Sequence, residues 1–324
     1  MKEKNYDGSQ KMKKPFPVLR KTGVIVPNGG ELSVFVCRGK LMMLQNRWEG
    51  VGEYPGPCAL ISGYFDDSIS FPPFGTDGDV FYQAYAENDA VHVFAANKNR
   101  IWHYNSEDLV NWERRLAVEF PENFKLHNTA VAKGDDGRYM MAIEAAAADG
   151  EDGTPRAVPN EYIGAFFTEF FASSRDLENW ELLPFEQAYT KARYNACPAM
   201  EFCGGFFYMI CLEELPCVHY APYIYRTRDF ETWEVSVYNP ILLPGEEDRH
   251  PKKGLESRFT HEQLEAIAVH MNINNSDVDL CEYEGKVYVV YATGNQLTES
   301  YSAEAVFDGT MKEFLEGYFN TQYT

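Results

Sequence analysis

Pairs of short runs in which apolar and polar residues alternate, each pair divided by a turn, account for most of the chain. In every case the turn carries Gly, Asn or Asp, and the flanking runs are rich in aromatic and β-branched residues. This pattern is typical of β-hairpins. The five turns are Arg38-Gly39, Asn88-Asp89, Asp135-Asp136-Gly137, Gly204-Gly205 and Glu284-Gly285.

One phrase recurs after the second, third and fourth hairpins. It reads NSEDLVNWE at 105–113, SSRDLENWE at 173–181 and RTRDFETWE at 226–234. Its hydroxyl and carboxylate groups can accept hydrogen bonds from nearby backbone N–H groups and hold a one-turn bend. The following Leu or Phe and the Trp can then bury against the adjacent sheet. The phrase therefore predicts a bend before the outer strand of a repeated four-stranded unit.

Hairpins that recur every 50 to 70 residues, roughly, favour a repeat architecture. Because each unit buries its faces only against neighbouring units, the units are expected to close into a ring. The predicted fold is all-β, a five-bladed β-propeller with four-stranded antiparallel blades. It forms a single domain over residues 15–324, and residues 1–14 form a flexible N-terminal tail. The best helix candidate is the stretch 260–272, with Thr260 as its N-cap.

Composition narrows the classes of partner. Of the 324 residues, 45% are hydrophobic and 15% aromatic, which is enough for a sizeable core. The formal net charge of −20 argues against nucleic acids and anionic membranes as partners. No apolar stretch approaches the roughly 20 residues that span a bilayer, and the N-terminus has no apolar signal segment. Seven cysteines without a CxxC pair indicate buried thiols in a reducing compartment, so a cytoplasmic location is expected.

The recurring bend after a hairpin resembles the five-bladed β-propeller glycoside hydrolases of families 43, 32, 117 and 130. The resemblance runs from about residue 22 to the end and implies a sugar site on the propeller axis. Residues 26–29, Val-Pro-Asn-Gly, are similar to the Asp-Pro-Asn-Gly nucleophile motif of the invertase-like family. Residues 196–198, Ala-Cys-Pro, are similar to its Glu-Cys-Pro acid motif. Val26 and Ala196 replace both carboxylates, so the resemblance does not supply the mechanism.

Glycoside hydrolysis normally uses two carboxyl groups, one protonated and one ionised. Acidic residues within apolar strand sequence are the candidates, because burial raises the pKa of a carboxyl group. Glu144 and Glu213 end the second runs of their hairpins. Asp277 and Asp279 are two residues apart, so both are expected to face the same side of a strand. These four residues are the candidate catalytic groups.

Polar and aromatic residues near the predicted axis are the candidates for substrate binding, because planar polar groups suit sugar hydroxyls and aromatic rings suit the apolar sugar face. Glu31 is in addition a candidate acid. No cofactor is predicted. A structural metal, or an axial metal with His127 or His270 as ligand, is an alternative that no ligand spacing supports. The candidate binding residues are Glu31, Trp48, His127, Asn128, Arg193, Tyr194, Asn295 and Gln296.

The sequence therefore predicts an exo-acting glycoside hydrolase that cleaves a short oligosaccharide in a central funnel. Two alternatives remain. One is a glycoside phosphorylase, for which Arg193 and His127 are the obvious phosphate ligands. The other is a non-catalytic propeller that binds a sugar or a protein, an alternative favoured by the residues at Val26 and Ala196.

Overall fold

A computed structural model describes most of the chain. The described residues are 17–27, 31–48, 51, 56–148, 167–190, 193–216, 220–295 and 298–319. The predicted tail, residues 1–14, lies outside them. No helix within these ranges is long and apolar enough to cross a membrane.

Strands make up nearly all of the regular structure. In chain order the first ten are β1 (Arg20–Val26), β2 (Leu32–Cys37), β3 (Lys40–Arg47), β4 (Cys58–Gly63), β5 (Val80–Glu87), β6 (Ala90–Asn97), β7 (Arg100–Ser106), β8 (Glu113–Glu119), β9 (Phe124–Lys133) and β10 (Tyr139–Ala147). The others are β11 (Thr168–Ser174), β12 (Trp180–Leu182), β13 (Ala196–Cys203), β14 (Phe206–Glu214), β15 (Tyr220–Thr227), β16 (Trp233–Val235), β17 (Asn274–Tyr283), β18 (Lys286–Gly294) and β19 (Ser300–Phe307). Two helices, α1 (His261–Val269) and α2 (Met311–Gly317), and three short 3₁₀ turns, Phe185–Gln187, Glu246–Arg249 and Glu256–Arg258, accompany them.

The strands pair with their chain neighbours in antiparallel fashion. Strands β2–β4 form a three-stranded sheet, and β5–β8 and β9–β12 form four-stranded sheets. An eight-stranded sheet contains two further four-stranded groups, β13–β16 and β17–β19 with β1. A single parallel pair, Tyr220 with Asn274, joins these two groups. All five predicted hairpins are therefore present.

The first strands of the groups surround a central axis. Strand β2 contacts β5, β5 contacts β9, β9 contacts β13, β13 contacts β17, and β17 contacts β2. Apolar side chains fill the space between neighbouring sheets, as where Phe94 and Phe170 share one cluster and Phe171 and Tyr225 another. Sheets that extend outward from a ring of inner strands define a β-propeller, which confirms the predicted all-β fold.

The recurring phrase forms the predicted bend at all three positions. Ser106 Oγ accepts a hydrogen bond from Leu109 N at 2.8 Å, and Asp108 Oδ1 accepts one from Asn111 N at 2.7 Å. Leu109 is 1% exposed and has a φ of 64°. The same hydrogen bonds recur around Asp176 and Asp229. Each bend connects the third strand of its sheet to the fourth.

Strand β1 supplies the outer strand of the last group, a pairing that the sequence analysis did not predict. It pairs with β19 on one side. On the other side, Val24 N donates to His250 O at 2.8 Å. Helix α1 precedes β17 in the chain. It begins as predicted, because Thr260 Oγ1 accepts a hydrogen bond from Gln263 N at 3.2 Å, and it ends at Val269.

Candidate active site

Bulges near the starts of the inner strands interrupt the regular pairing. Register shifts occur in the β5–β6, β9–β10, β13–β14 and β17–β18 pairs. Three residues at these bulges lie in the left-handed region, with φ values of 58° for Phe81, 53° for Cys197 and 50° for Asp277. Non-glycine residues in this conformation cost on the order of 1–3 kcal/mol and cluster at functional sites. Here the bulges bring Cys197 and Asp277 to one axial cavity.

The carboxyl groups of Glu31 and Glu144 meet at Asn128 at this end of the axis, and Asp277 lines the same cavity as Glu31. These three groups form the carboxyl cluster. Asn128 Nδ2 lies 3.3 Å from Glu31 Oε1 and 3.1 Å from Glu144 Oε2. The backbone N–H of Cys197 donates to the same Glu144 oxygen at 2.8 Å. Glu144 is 2% exposed and lies behind the wall of the cavity, while Glu31 and Asp277 contribute to its lining. The lining residues are Glu31, Leu32, Gln83, Asn128, Cys197, Pro198, Asp277 and Val278.

The surroundings favour protonation of this carboxyl cluster. Burial raises the pKa of Glu31 well above its usual range, and the charges of Asp277 and Glu144 add to the effect. Burial raises the pKa of Glu144 to about 7, against the hydrogen bonds from Cys197 and Asn128. Burial also raises the pKa of Asp277, opposed by hydrogen bonds with Cys197 and Ser276. The surroundings therefore favour the protonated form of these carboxyl groups, and a protonated group beside an ionised one is the condition for acid and base roles.

Glu213 and Arg193 form an ion pair beside this cluster. Arg193 Nε lies 2.9 Å from Glu213 Oε1, and the hydroxyl of Tyr225 donates to the same oxygen. Burial raises the pKa of Glu213 to about 7, while the charge of Arg193 acts to lower it. Glu213 is not among the residues that line the cavity with Glu31 and Asp277.

Asp279 lines a second cavity on the axis, together with Glu201 and Gln83. Its carboxylate accepts hydrogen bonds from Val34 N at 2.8 Å and Leu280 N at 2.9 Å. Burial raises its pKa to about 7 and that of Glu201 to about 8. The bulge at Asp277 lies between Ser276 and Asp279, so the two predicted aspartates serve different cavities. Gln83 lines both.

An arc of aromatic rings borders the carboxyl cluster. Three of its members, Trp48, His127 and Tyr194, were predicted as binding residues, and Trp48 is 48% exposed. Electrostatic interactions of Tyr194 with Cys197 and Glu144 place it beside the cluster, and burial with these charges raises the pKa of Tyr194. Successive ring centroids are 5.2, 4.9, 5.1, 5.4 and 5.1 Å apart along Trp48, Phe81, His127, Phe167, Tyr194 and Tyr220.

The other predicted residues lie elsewhere. Asn295 Oδ1 accepts hydrogen bonds from Thr298 N at 2.9 Å and Glu299 N at 3.0 Å in the turn after β18. Gln296 lies outside the described residues. His270 packs against Tyr301, with ring centroids 5.0 Å apart. Within the described ranges, no three His, Cys, Asp or Glu side chains are arranged to hold a metal ion.

Comparison with known proteins gives matches by structure alone. No protein-family model and no curated protein matches the chain. The protein BT0996, solved as a complex with RGII, is similar over 90% of this chain and 92% of its own, with 11% identity and a TM-score of 0.59. The GH43 protein BlXynB from Bacillus licheniformis matches 89% of this chain, with 13% identity and a TM-score of 0.53. The GH32 β-fructofuranosidase BmSUC1 from Bombyx mori matches 88%, with 11% identity and a TM-score of 0.53.

The chain spans 52% of the length of the GH43 protein and 61% of the length of the GH32 enzyme. At these levels of identity the likeness establishes the fold. It confirms the resemblance to the propellers of families 43 and 32.

Proposed function

We propose that the protein is a glycoside hydrolase that removes a terminal sugar from a short oligosaccharide. The observation that carries the proposal is the contact of Glu31 and Glu144 with Asn128 at one end of the axis, with Asp277 on the lining of the same cavity. Such a group of buried carboxyl groups suits acid and base chemistry at a glycosidic bond. The fold shared with known glycoside hydrolases supports the same class by analogy.

Glu31 and Asp277 are the proposed catalytic pair, because both line the cavity. Glu31, the group with the strongly raised pKa, donates its proton to the glycosidic oxygen as the bond to the anomeric carbon breaks. Asp277, as the carboxylate, either activates a water molecule or attacks the anomeric carbon directly. Glu144 does not line the cavity. Its Oε2 accepts a hydrogen bond from the Asn128 amide and thereby holds that amide beside Glu31. This assignment keeps Asp277 from the four predicted catalytic residues and makes Glu31, predicted as a binding residue and candidate acid, the proton donor.

The aromatic arc supports a sugar ligand. Its rings supply flat apolar surface next to the carboxyl groups, which matches the apolar face and hydroxyl-rich edge of a sugar ring. Buried Leu32 and Val278 in the cavity lining, each 4% exposed, favour a cavity that ends on the axis. We propose exo action because the carboxyl cluster lies at one end of the axis, beside the aromatic arc.

Two broader features belong to the same proposal. The propeller has five blades, a count supported by the closed ring of β2, β5, β9, β13 and β17. The three-stranded sheet is the first blade, since bridges from Ala59 to Phe74 and Ser62 to Ser70 continue its outer edge. A cytoplasmic location is supported by the free thiols at Cys37, Cys58, Cys197, Cys203, Cys211 and Cys281.

The test is turnover of a panel of oligosaccharides and aryl glycosides by purified variants. Glu31→Gln and Asp277→Asn should each lower kcat/KM by about 10²–10⁴-fold, the usual contribution of a general acid or base. Glu201→Gln is the matched control, because Glu201 is an acidic residue on the second axial cavity. Near-normal turnover by both site variants, or an equal loss in the control, would refute the assignment.

A non-catalytic sugar-binding propeller is the second candidate. Val26 and Ala196, which occupy the positions of the carboxylates in the invertase-like motifs, are buried at 6% and 1% exposure, so these two positions carry no carboxyl group. Glycan-array binding without product formation would favour this candidate. Phosphorolysis has less support, because the guanidinium of Arg193 already pairs with Glu213. Dependence of turnover on added phosphate would establish it.

A further inference from the structure

A second carboxyl group lies directly across the sheet from Glu144. Glu144 on β10 and Glu169 on β11 are Cα partners in the antiparallel ladder. Residues paired in this way have Cβ atoms about 4.5–5.5 Å apart and face the same side of the sheet. Both side chains are buried, at 2% exposure for Glu144 and 0% for Glu169.

Glu169 has no hydrogen-bond partner for either carboxyl oxygen within the described part of the chain. The side-chain amide of Asn195, two residues before Cys197, is also fully buried and without a partner there. A buried carboxylate without donors costs several kcal/mol, so the group stays neutral instead. Burial and the charge of Glu144 raise the pKa of Glu169 well above its usual range.

A neutral carboxyl group has one O–H to donate and requires an acceptor. Glu144 is the carboxyl group opposite it, and the hydrogen bonds from Asn128 and Cys197 both go to Glu144 Oε2. Glu144 Oε1 is therefore the acceptor available to Glu169. Polar contacts continue from Glu144 through the Asn128 amide to Glu31. They connect the interior of the sheet with the cavity.

The equivalent positions of the other sheets show that the fold does not require this second acid. The same cross-strand position pairs Leu212 with Pro222 in the β14–β15 ladder. The remaining pairs are Asn46 with Ala59, Ala96 with Ile101, and Ala292 with Ser302. Among the described sheets, two acids face each other here only in the β10–β11 ladder.

We propose that Glu169 is a positioning residue that holds a proton against Glu144 and thereby sets the protonation of the Glu31–Asp277 pair. The proposal rests on the proposed function for its last step, and on the cross-strand pairing and burial of the two glutamates for the shared proton. A carboxyl group and a carboxylate that share one proton titrate as a pair. Loss of Glu169 therefore alters the protons available to the cavity without removing a group that touches the substrate.

Other titratable groups also face this pair. On β14, burial raises the pKa of the Cys211 thiol well above its usual range, and the charges of Glu169, Glu144 and Glu213 add to the effect. Tyr189 bridges to Glu169 through the backbone, and its hydroxyl accepts from Arg193 Nη2 at 3.2 Å. Because its pKa is raised, the Cys211 thiol stays neutral over the pH range in which the two glutamates titrate. The shared proton therefore belongs to the two glutamates.

The first test measures unfolding by denaturant from pH 4 to pH 9 in the wild type and Glu169→Gln. The folded pKa of Glu169 exceeds its unfolded value of about 4.3, so the folded state binds the extra proton and stability falls as pH rises through that interval. The folding equilibrium constant should lose up to about tenfold per pH unit from this group. Glu169→Gln should lack that loss, and in a Glu144→Gln background the same substitution should have a different pH dependence.

The second test measures kcat/KM against pH. Glu169→Gln should shift the profile by about half a pH unit or more, with KM nearly unchanged. Thr168→Val is the control, since Thr168 is the neighbouring buried residue whose hydroxyl also has no partner in the described ranges. Its profile should match the wild type.

The outcomes separate the two proposals. Identical stability profiles for the wild type and Glu169→Gln overturn the shared proton, and an unshifted rate profile overturns the positioning role. If the wild type turns over no glycoside, the proposed function fails, while the effect of Glu169→Gln on the pH dependence of unfolding, measured with Glu144 and with Glu144→Gln, still decides whether the proton is shared.

Discussion

Replacement of Lys21 by Met should destabilise the protein strongly, although Lys21 lies far along the chain from every group that it contacts. Its ammonium group donates to Asp248 Oδ2 at 2.6 Å, to Leu243 O at 2.6 Å and to Asn275 Oδ1 at 2.8 Å. The side chains of Lys21 and Asp248 are 9% and 0% exposed. Methionine keeps the aliphatic part of the side chain and removes the charge.

Removal of one partner from a buried ion pair costs about 3–5 kcal/mol, because the remaining charge stays buried. Asp248 retains donors in the hydroxyl of Tyr291 at 2.6 Å and Gly245 N at 3.0 Å. The expected loss is therefore near the lower end, about 3 kcal/mol, against a total stability of about 5–15 kcal/mol for a typical domain.

Denaturant unfolding of Lys21→Met at pH 7 measures this loss. Lys312→Met is the control, because Lys312 makes an exposed pair with Glu316 at 3.7 Å, and such pairs contribute about 0–1 kcal/mol. A loss in Lys21→Met no larger than in the control would refute the reasoning.

The pH dependence provides a second check. Burial acts to raise the pKa of Asp248, but the charge and hydrogen bond of Lys21 hold it below its usual range. The corresponding stabilisation is present above the unfolded pKa of about 3.9 and is lost as pH falls through the folded value. Lys21→Met should lose much of this acid-side dependence.

Three further predictions concern the bends, a tight turn and the aromatic arc. Ser174→Ala should cost about 1 kcal/mol of unfolding free energy, as loss of a helix cap does, because Leu177 N loses its acceptor at 3.0 Å. Gly294→Ala should lower the melting temperature, since Gly294 has a φ of 119° and an added Cβ would lie 2.2 Å from Glu299 O. Trp48→Ala should raise KM by roughly 2- to 12-fold, from about 0.5–1.5 kcal/mol of aromatic contact. An unchanged melting temperature for Gly294→Ala, or an unchanged KM for Trp48→Ala, would contradict the geometry of the turn and of the arc.

The sheets and bends could be predicted from sequence because their signals are local. A hairpin turn and a bend such as Ser106–Asp108 each lie within a few residues of the groups that they bond. Strand β1 was not predicted, because its partner is Ser300–Phe307 and no local pattern marks a pairing over such a distance. Closure of the sheet by β1 follows from tertiary packing.

Part of the carboxyl cluster was predicted for the same reason. Glu144 and Asp277 are acidic residues in otherwise apolar strand sequence, and the structure places both in the carboxyl cluster. No residue pattern marks the bulges at Cys197 and Asp277. The sequence therefore could not predict that Asp277 and Asp279 line different cavities. Glu169 carried the same signal as Glu144, an acid beside Phe170 and Phe171, and could have been found by applying that criterion to the third strand.

The left-handed residues at the bulges have a consequence for how new functions could arise on this chain. Phe81, Cys197 and Asp277 share a backbone conformation, yet they present an aromatic ring, a thiol and a carboxyl group. The backbone conformation determines the direction of each side chain, and the residue type determines which chemical group lies there. Since Gly, Asn and Asp adopt positive φ with least strain, a small library at these three positions would vary the chemistry of the axis while leaving the strand pairing in place.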